Sequence, residues 1–271
     1  MINIFILLAL SFFFSLFLIL IPVMKQITIL FLASAILASC APREFTFIQM
    51  SDPQIGFLDP REDCGVTDSL FRRAAERANG IGPECVIITG DLVNVAGDAL
   101  QDSLYRAGRG RIEAPVYEVP GNHDGRTPDG RFSFRRHGCA FIGIDSNLIK
   151  GQDAAAEREQ LDWLRAELES AGRCRYRFVF LHCPVFIDAA DEPEQYFNFP
   201  VDKRRQYLEL LHDYSVDAVF AGHTHMDSTA EWEGIRFYVA GPVGTPLGRG
   251  RSGFNVVKVR NDGFDVEFLP L

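Results

Sequence analysis

The amino-acid sequence predicts an α/β protein in which two packed sheets carry helices on their outer sides. Short apolar runs typical of strands alternate with helical patterns in the first half of the chain, which indicates α/β layering. The last three apolar runs, at 235–240, 254–259 and 264–269, have no helical pattern between them and predict an antiparallel meander. Roughly 230 residues follow the N-terminal segment, which is enough for one domain with a substantial core.

The individual elements follow from the hydrophobic periodicity of the chain. Short β-rich runs predict strands at 45–50, 85–89, 115–119, 139–145, 177–182, 217–221, 235–240, 254–259 and 264–269. Three stretches combine capping or apolar residues at helical positions with a charged side, and predict helices at 68–80, 157–171 and 202–214. Within the second of these helices, leucines recur at helical spacing at Leu161, Leu164 and Leu168.

Residues 1–39 predict a hydrophobic targeting segment that precedes a globular domain at 40–271. The segment ends with a positive residue, an apolar stretch of signal-peptide length and small residues before Cys40. The sequence Leu37-Ala38-Ser39-Cys40 resembles the lipobox of bacterial lipoproteins. We therefore expect a lipid on Cys40 that anchors the exported domain to a membrane of the cell envelope.

Two further interpretations of the N-terminus stay open. Translation that starts at Met24 would make residues 1–23 an artefact of start-site choice. A membrane-spanning anchor at 4–21 is the alternative to a lipid, because this run is long enough to cross a bilayer. Either anchor places the globular domain outside the cytosol and against a membrane.

The charge of the chain argues against one class of partner. The formal net charge is −9 at pH 7, and Lys25 is the only charged residue of the segment 1–39. Lys and Arg form no cluster in the rest of the sequence, whereas binding of nucleic acid depends on basic contacts to phosphates. We therefore expect no nucleic-acid polymer as a partner and interpret the acidity as a solvated surface.

The cysteines are not spaced for a thiolate metal site. An odd number of them follows Cys40, and no two have CxxC spacing: Cys64, Cys85, Cys139, Cys174 and Cys183. Cys85 and Cys139 lie in apolar strand-like runs and are interpreted as small buried hydrophobes. A disulfide between Cys64 and another cysteine stays open for an oxidising compartment.

Polar side chains follow several of the apolar runs, and the first two sets are rich in carboxylates. Asp52 and Gln54 leave the first strand around Pro53, which cannot donate to a sheet ladder. Gly90 permits a close backbone approach, and Asp91 directly after it has two oxygens with which to bridge two cations. Taken alone, Asp52 also fits an ordinary turn, and Asp91 fits the start of an Asx turn.

The most specific motif is Gly121-Asn122-His123-Asp124, which follows the third predicted strand. Asn122 offers a neutral amide oxygen to a metal. His123 is able to act as a general acid or electrophile, and Asp124 is the expected acceptor that would hold the His123 tautomer. The alternative interpretation is an ordinary polar turn.

Three further histidines, His182, His223 and His225, also follow apolar strand-like runs. His223 and His225 are two residues apart just after a strand end, where each is able to reach a different metal. His137 and His212 have no such context and are interpreted as structural. Carboxylate, amide and imidazole groups gathered at one sheet edge form a ligand set for two adjacent metal ions, which is suited to the hydrolysis of phosphate esters.

In this order along residues 45–271, the motifs resemble those of the calcineurin-like metallophosphoesterase superfamily. The resemblance implies a four-layer α/β/β/α sandwich with two mixed sheets flanked by helices. It also implies two divalent metal ions (Mn, Mg, Fe or Zn) and in-line attack of a metal-bridging hydroxide on a phosphomonoester, with His123 assisting the leaving group. The ligands of the two ions would be Asp52, Gln54, Asp91 and His225 for one, and Asp91, Asn122, His182 and His223 for the other.

One position departs from the pattern of the superfamily, since Gln54 stands where a histidine is usual. An amide oxygen is a harder and weaker ligand than imidazole, which predicts that this ion is Mn²⁺ or Mg²⁺ rather than Zn²⁺. With Tyr196-Phe197-Asn198 and Leu247-Gly248-Arg249, the Gln54 motif resembles animal calcineurin-like phosphoesterase domain-containing proteins, which are described as serine/threonine phosphatases. The resemblance implies a phosphorylated substrate and phosphomonoesterase activity.

The expected substrate contacts lie in loops around the site. Arg249 is a candidate for a bidentate contact to phosphate, and its alternative is a solvated loop arginine. The loops at 55–67 and 186–200 are the expected specificity elements, because long loops near a site carry selectivity. Their candidate residues are Asp59, Asp63, Tyr196 and Asn198.

Two other functions stay open beside a phosphomonoesterase. The same dinuclear core would serve a phosphodiesterase acting on small nucleotides or lipid headgroups. A surface-anchored binding protein with an inactive site is the third interpretation, and it is disfavoured because every expected ligand position holds a competent donor.

Overall fold

The structure is a computed structural model that describes residues 43–125 and 130–271. Residues Glu44–Leu271 form one compact unit. The expectations for the segment 1–39, with its alternatives at 4–21 and Met24, and for Cys40 lie outside the described residues. Within those residues, none of the helices has the length and apolar character needed to cross a membrane.

The described residues contain eleven strands and five helices. The strands are β1 (Phe45–Met50), β2 (Val86–Thr89), β3 (Val116–Val119), β4 (Phe132–Arg136), β5 (Cys139–Gly143), β6 (Tyr176–Phe180), β7 (Ala218–Ala221), β8 (Ser228–Trp232), β9 (Ile235–Val239), β10 (Gly253–Val259) and β11 (Phe264–Pro270). The helices are α1 (Gly65–Ile81), α2 (Ala99–Arg109), α3 (Ser146–Lys150), α4 (Ala154–Ser170) and α5 (Val201–Asp213).

The strands form two mixed sheets. The first has the order β11-β10-β1-β2-β3, in which β1, β2 and β3 are parallel and β10 and β11 add antiparallel pairs. The second has the order β4-β5-β6-β7-β9-β8. Its four central strands are parallel, and β4 and β8 are antiparallel edges.

The layers are held by three hydrophobic clusters. Between the sheets lies a cluster dominated by buried aromatic rings, which include Phe47, Phe141, Phe178, Phe180 and Phe220. Helices α1 and α2 contribute Phe71 and Tyr105 to a second cluster with the first sheet, and these two rings stack with centroids 5.4 Å apart. Leucines of α4 and α5 pack in the third cluster with the second sheet. The predicted four-layer α/β/β/α sandwich is confirmed.

The predicted C-terminal meander is wrong in one respect. β9 belongs to the second sheet, where it is parallel to β7 and antiparallel to β8, whereas β10 and β11 pair in the first sheet. Residues 240–252 cross from one sheet to the other, and the Val243 amide donates to the Ser51 carbonyl on the way. Three consecutive apolar runs do not reveal this change of sheet, because each sheet offers them an equally apolar face.

The other predicted strands and helices occur with ends shifted by a few residues, but α2, α3, β4 and β8 were not predicted. The buried side of α2 consists of Gln101, Tyr105 and Gly108 in place of aliphatic residues. A Cβ at Gly108 would stand 2.5 Å from the Phe71 ring, so close packing selects glycine there. Edge strands β4 and β8 are partly exposed and carry charged residues, which weakens their apolar signal.

Four of the five described cysteines are buried, and Cys174 is partly exposed. Cys85 and Cys139 have no exposed surface, as expected. Cys64, Cys85, Cys139, Cys174 and Cys183 are all free thiols in the described part of the chain, so the disulfide left open for Cys64 is not formed.

Candidate metal centre

The candidate centre lies where the carboxyl ends of strands from both sheets meet. β1, β2 and β3 approach it from the first sheet, and β6 and β7 approach it from the second. Parallel neighbours end at the same sheet edge, so the residues after each strand are brought together. These residues are Asp52, Gln54, Asp91, Asn122, His123, His182, His223 and His225.

Two groups of donor atoms share one carboxylate. The donor atoms of Asp52, Asp91 and His225 lie within 4.8 Å of one another, and we call these residues the Asp52 group. The same limit holds for Asp91, His182 and His223, the His182 group. All five residues are buried, so Asp91 stands between two sets of metal-type donors that are shielded from solvent.

The two amide residues extend these groups. The Asn122 Oδ1 lies 3.2 Å from the His182 Nε2, which adds an oxygen to the His182 group. Gln54 follows Asp52 by two residues and is also buried. Its Nε2 donates to the Asn94 Oδ1 at 3.4 Å, which leaves its Oε1 as the group that faces inward.

Unpartnered oxygens show that the residues fit divalent metal ions. Among the described residues, the buried Asp52 Oδ1 and Gln54 Oε1 have no hydrogen-bond partner. An unsatisfied buried acceptor costs about 1–3 kcal/mol, and more when it is charged. A cation would satisfy both oxygens, and a mixture of carboxylate, amide and imidazole donors is suited to Mn²⁺, Fe²⁺ or Zn²⁺.

Backbone carbonyls orient the histidine rings toward the donor groups. The His182 Nδ1 lies 2.8 Å from the Thr89 carbonyl oxygen, and the His225 Nδ1 lies 2.7 Å from the Thr245 carbonyl oxygen. The His223 Nε2 lies 3.3 Å from the Tyr196 carbonyl oxygen. A carbonyl accepts only from an N–H, so each ring keeps the lone pair of its other nitrogen for a metal.

Each carboxylate is likewise held through one oxygen. The Asp52 Oδ2 accepts from the Ser51 hydroxyl at 2.5 Å and from the His223 amide at 3.0 Å. The Asp91 Oδ1 accepts from the His123 amide at 2.9 Å. The second oxygen of each carboxylate faces imidazole, with the Asp52 Oδ1 3.5 Å from His225 and the Asp91 Oδ2 3.3 Å from His182.

Most of the candidate ligand residues have a left-handed backbone conformation. Positive φ angles occur at Asp52 (50°), Gln54 (33°), Asp91 (50°), His223 (70°) and His225 (55°). Such conformations cost about 1–3 kcal/mol each in a residue other than glycine, and cluster where structure serves a site. They turn the chain sharply after a strand, so that consecutive ligands point to the same side.

Two glycines allow the segments that follow neighbouring strands to pack directly against each other at the centre. A Cβ at Gly121 would collide with the backbone and carboxylate of Asp91. A Cβ at Gly222 would collide with the Ser51 hydroxyl and stand 2.6 Å from the Asp52 Oδ2. Glycine is therefore required at both positions by contact with the ligand residues themselves.

Strong coupling of charges marks the His182 group. Burial raises the pKa of Asp91, but the charge of His182 and their hydrogen bond lower it to about 2. Burial lowers the pKa of His182, but Asp91 raises it to about 10. Burial and the His182 charge lower the pKa of His223 to about 4, so this imidazole is neutral at pH 7. A metal ion bound by this group would take the place of the proton between His182 and Asp91.

The structure corrects the expected role of Asp124. The predicted hydrogen bond from His123 to Asp124 is replaced by one from the His123 Nδ1 to the Asn94 carbonyl, at 2.8 Å. The Asp124 carboxylate accepts instead from the amides of Leu92 (2.7 Å) and Gly121 (2.8 Å). Three residues after Gly121, the side chain of Asp124 turns back onto the backbone, so Asp124 ties the end of β2 to the end of β3.

Of the two predicted substrate residues in the loop 186–200, one is exposed beside the centre and the other is buried. Tyr196 is 63% exposed beside the His182 group, and its hydroxyl accepts from the Asn122 Nδ2 at 3.2 Å. Asn198 has no exposed surface, and its side chain bonds to the Gln195 amide, the Glu192 carboxylate and the Pro193 carbonyl. The structure therefore assigns Asn198 to the shape of the loop 186–200 and not to substrate contact.

Other candidates have local structural partners. Asp59 accepts from the amides of Val66 and Thr67 at the start of α1, and Asp63 forms an exposed ion pair with Arg61. Arg249 is exposed in the loop after β9, and within the described residues no hydrogen bond or ion pair joins it to a ligand residue.

Two other histidines lie away from the centre, and one asparagine supports it. His137 lies 3.5 Å from the Glu84 carboxylate, and His212 packs at the end of α5 with its ring 6.0 Å from Trp232, so neither joins the centre. Asn94, which holds both His123 and Gln54, was not identified from the sequence. Its position three residues after the Gly90-Asp91 motif was the available signal.

Comparisons with known proteins agree with this arrangement. The family model described as calcineurin-like phosphoesterase matches residues 45–227. The serine/threonine-protein phosphatase CPPED1 of Rattus norvegicus is 26% identical over 254 residues, which cover 79% of this chain and 80% of that protein. A probable cyclic nucleotide phosphodiesterase of Rhodococcus erythropolis is 27% identical over 225 residues, which cover 72% of each protein.

A solved structure shows the same fold. A dimetal phosphatase from Danio rerio superposes with a TM-score of 0.63 at 17% identity, and the match covers 83% of this chain and 96% of that one. The shared fold supports the two-sheet sandwich described above.

Because Gly121 lies directly against Asp91, a larger residue at position 121 should disturb the centre without removing any proposed ligand. Gly121→Ala should displace Asp91, reduce the bound Mn²⁺ and destabilise the fold by roughly 1–3 kcal/mol, the usual range for overpacking. Metal content and thermal unfolding with and without Mn²⁺ measure both effects. Gly80→Ala is the matched control, because its Cβ meets open space on α1 and should be neutral or stabilising by up to about 1 kcal/mol. Unchanged metal content in Gly121→Ala would contradict this account of the strand exits.

Proposed function

The chain belongs to the calcineurin-like phosphoesterase family, and from this premise we propose that it is a dinuclear-metal phosphomonoesterase. The position of Asp91 carries the proposal, because one buried carboxylate belongs to both donor groups. Two ions bound there would share this ligand. The remaining ligands would be Asp52, Gln54 and His225 for one ion, and Asn122, His182 and His223 for the other.

Charge at the centre favours a phosphate group. When bound, the two divalent ions supply Lewis-acid stabilisation of negative charge on phosphoryl oxygens and lower the pKa of nearby water to about 7. Asp52 and Asp91 are the only carboxylates of the proposed ligand set, and their charge is smaller than that of two divalent ions. The centre therefore attracts phosphate even though the chain has a formal net charge of −9.

His123 is positioned to protonate the leaving group. Its amide donates to the Asp91 Oδ1 at 2.9 Å, which holds the residue beside the shared carboxylate. Its Nδ1–H donates to the Asn94 carbonyl, so the Nε2 is the nitrogen that delivers a proton to the departing oxygen. Asp124 acts as a positioning residue, since it fixes the turn that carries His123.

The relatives support a monoester as the preferred substrate. The serine/threonine-protein phosphatase named above covers most of both chains, which favours phosphoserine or phosphothreonine in proteins as the substrate class. A cleft of about 380 Å³ beside Asn122 has room for the rest of such a substrate and is lined by polar residues that include Asp145, Asn147 and Gln152. The phosphodiesterase relative favours the second candidate, a diesterase for small nucleotide or lipid-headgroup esters.

Export and lipid anchoring are a further part of the proposal. Their support is the sequence Leu37-Ala38-Ser39-Cys40 after an apolar stretch. In a bacterial host supplied with a clickable fatty acid, we expect label on the full chain and on the control Cys64→Ser, but none on Cys40→Ser. A membrane-bound but unlabelled wild-type chain would contradict the lipid and favour the anchor at 4–21.

The proposed chemistry predicts how activity responds to substitution. Residues 41–271 should hydrolyse aryl phosphate monoesters faster than the matching diesters, with Mn²⁺ present and not with a chelator. Asp91→Asn should abolish activity, because both ions lose the charged carboxylate that they would share. His123→Asn should reduce kcat by about 10²–10⁴-fold with phenyl phosphate, and by less with nitrophenyl phosphate, whose leaving group needs no proton.

Asp162→Asn, an exposed acid on α4, is the control and should retain full activity. Preference for the diester would move the conclusion to a phosphodiesterase. Equal loss in His123→Asn with both leaving groups would contradict the role of this histidine as a proton donor.

Gln54 predicts the metal preference. Gln54→His replaces an amide oxygen by imidazole and should shift activation from Mn²⁺ or Mg²⁺ toward Zn²⁺. The measurement is the metal concentration that gives half-maximal activity for each ion, in wild type and variant. Metal selectivity that does not change on substitution would show that Gln54 is not a ligand.

A further inference from the structure

Tyr196 contacts two proposed ligands of the same metal ion. Its backbone carbonyl lies 3.3 Å from the His223 Nε2, and its hydroxyl lies 3.2 Å from the Asn122 Nδ2. Asn122 and His223 both belong to the His182 side of the centre, opposite the Asp52 group. One loop residue therefore touches two ligands that come from the ends of β3 and β7.

The hydroxyl contact restrains the side-chain amide of Asn122. Asn122 is exposed, so an unrestrained amide would rotate freely and present either its oxygen or its NH₂ group. When the NH₂ group donates to the Tyr196 hydroxyl, the Oδ1 faces inward, 3.2 Å from the His182 Nε2. An NH₂ group turned inward would repel a cation, whereas the Oδ1 would attract it. The Tyr196 hydroxyl then holds the amide in the ligating orientation by accepting from its NH₂ group.

The carbonyl contact does the same for His223. A proton on the Nε2 leaves the Nδ1 lone pair for the metal, 3.1 Å from the His182 Nε2. The rings of Tyr196 and Phe197 also pack against the imidazole, with centroids 5.0 Å and 5.3 Å from it. The loop thus fixes both the tautomer and the plane of His223.

Lys150 holds Tyr196 in this position. Its Nζ donates to the carbonyl oxygens of Tyr196 and Asn198, and it lies 5.4 Å from the centroid of the Tyr196 ring. Lys150 ends α3, so its ammonium group joins this helix to the loop through three contacts. A charged donor to a carbonyl is stronger than a neutral one.

The loop 186–200 is built to keep its shape. Arg204 of α5 is buried and donates to the carbonyls of Ala190, Glu192 and Phe199. The Glu192 carboxylate accepts from the amides of Ile187 and Asp188, and from the side chain of Asn198. These hydrogen bonds, donated by Arg204 from the neighbouring helix and formed within the loop by Glu192 and Asn198, restrict the loop and so hold Tyr196 in one place.

From these contacts we infer that Tyr196 is a positioning residue for the metal ion on the His182 side, and that Lys150 secures it there. The inference rests on the proposed dinuclear centre and adds a residue that touches neither ion. This role differs from the substrate contact that the sequence predicted for Tyr196, whose side chain is largely exposed. Partners that orient metal ligands typically contribute roughly 10–100-fold to metal affinity.

The test is a calorimetric titration of metal-free protein with Mn²⁺, for wild type and Tyr196→Phe. Phenylalanine keeps the ring against His223 and removes only the hydroxyl that holds Asn122. We expect two Mn²⁺ sites in the wild type, and one site weakened roughly 10–100-fold in the variant, with the other unchanged. At saturating Mn²⁺, the variant should have the wild-type KM for an aryl phosphate and nearly the wild-type kcat, because the weakened site is then filled.

Two further variants sharpen the result. Lys150→Met keeps the aliphatic stem and should weaken the same site in the same direction, whereas Tyr214→Phe at the end of α5 should leave both sites unchanged. Unchanged Mn²⁺ affinities in Tyr196→Phe with a raised KM would overturn the inference and make Tyr196 a substrate contact. A wild-type chain that binds no Mn²⁺ on the His182 side would overturn it as well. Two bound ions without ester hydrolysis would instead contradict the proposed function and leave the inference standing.

Discussion

The close contact of strand exits is the constraint on which the centre depends. Asp91 lies against Gly121, and Ser51 and Asp52 lie against Gly222, at separations that exclude a Cβ. Because these contacts join the end of β1 to β7 and the end of β2 to β3, they bring ligands from both sheets into one cluster. Five of the proposed ligand residues have a left-handed backbone there. Each such conformation destabilises the fold by roughly 1–3 kcal/mol, and the packing of the whole domain offsets this free energy.

The aromatic cluster between the sheets supplies that packing. Phe47 of β1 touches rings from three strands of the second sheet, at Phe141, Phe178 and Phe220. These contacts set the distance between β1 and β7. Asp52 and His223 each lie two residues beyond the end of one of these strands. The amide of His223 then donates to the Asp52 carboxylate. Core packing and the metal centre are therefore parts of one arrangement, in which ring contacts position the strands and backbone amides position the ligands.

The sequence was informative wherever a residue type is demanded by chemistry, and weaker where geometry depends on a distant part of the chain. The fold class and the Asp91, His182 and His223 cluster follow from apolar runs that end in polar motifs. The hydrogen-bond donors of Asp124 could not be predicted from the sequence, because a carboxylate after a turn accepts equally well from an imidazole or from backbone amides. β9 was misassigned since the crossing at 240–252 leaves no local signal. Asn94 and Lys150 act through backbone and side-chain contacts that arise only in the folded chain.

In the proposed centre, Asp91 would join two adjacent metal ions. Crystals of the domain soaked in Mn²⁺, with anomalous diffraction recorded at the manganese edge, test it most directly. We expect two anomalous peaks about 3.5–4 Å apart, one on each side of the Asp91 carboxylate. The nearer ligands should be Asp52 and His225 for one peak, and His182 and His223 for the other. A single peak, or two peaks of which only one contacts Asp91, would contradict it.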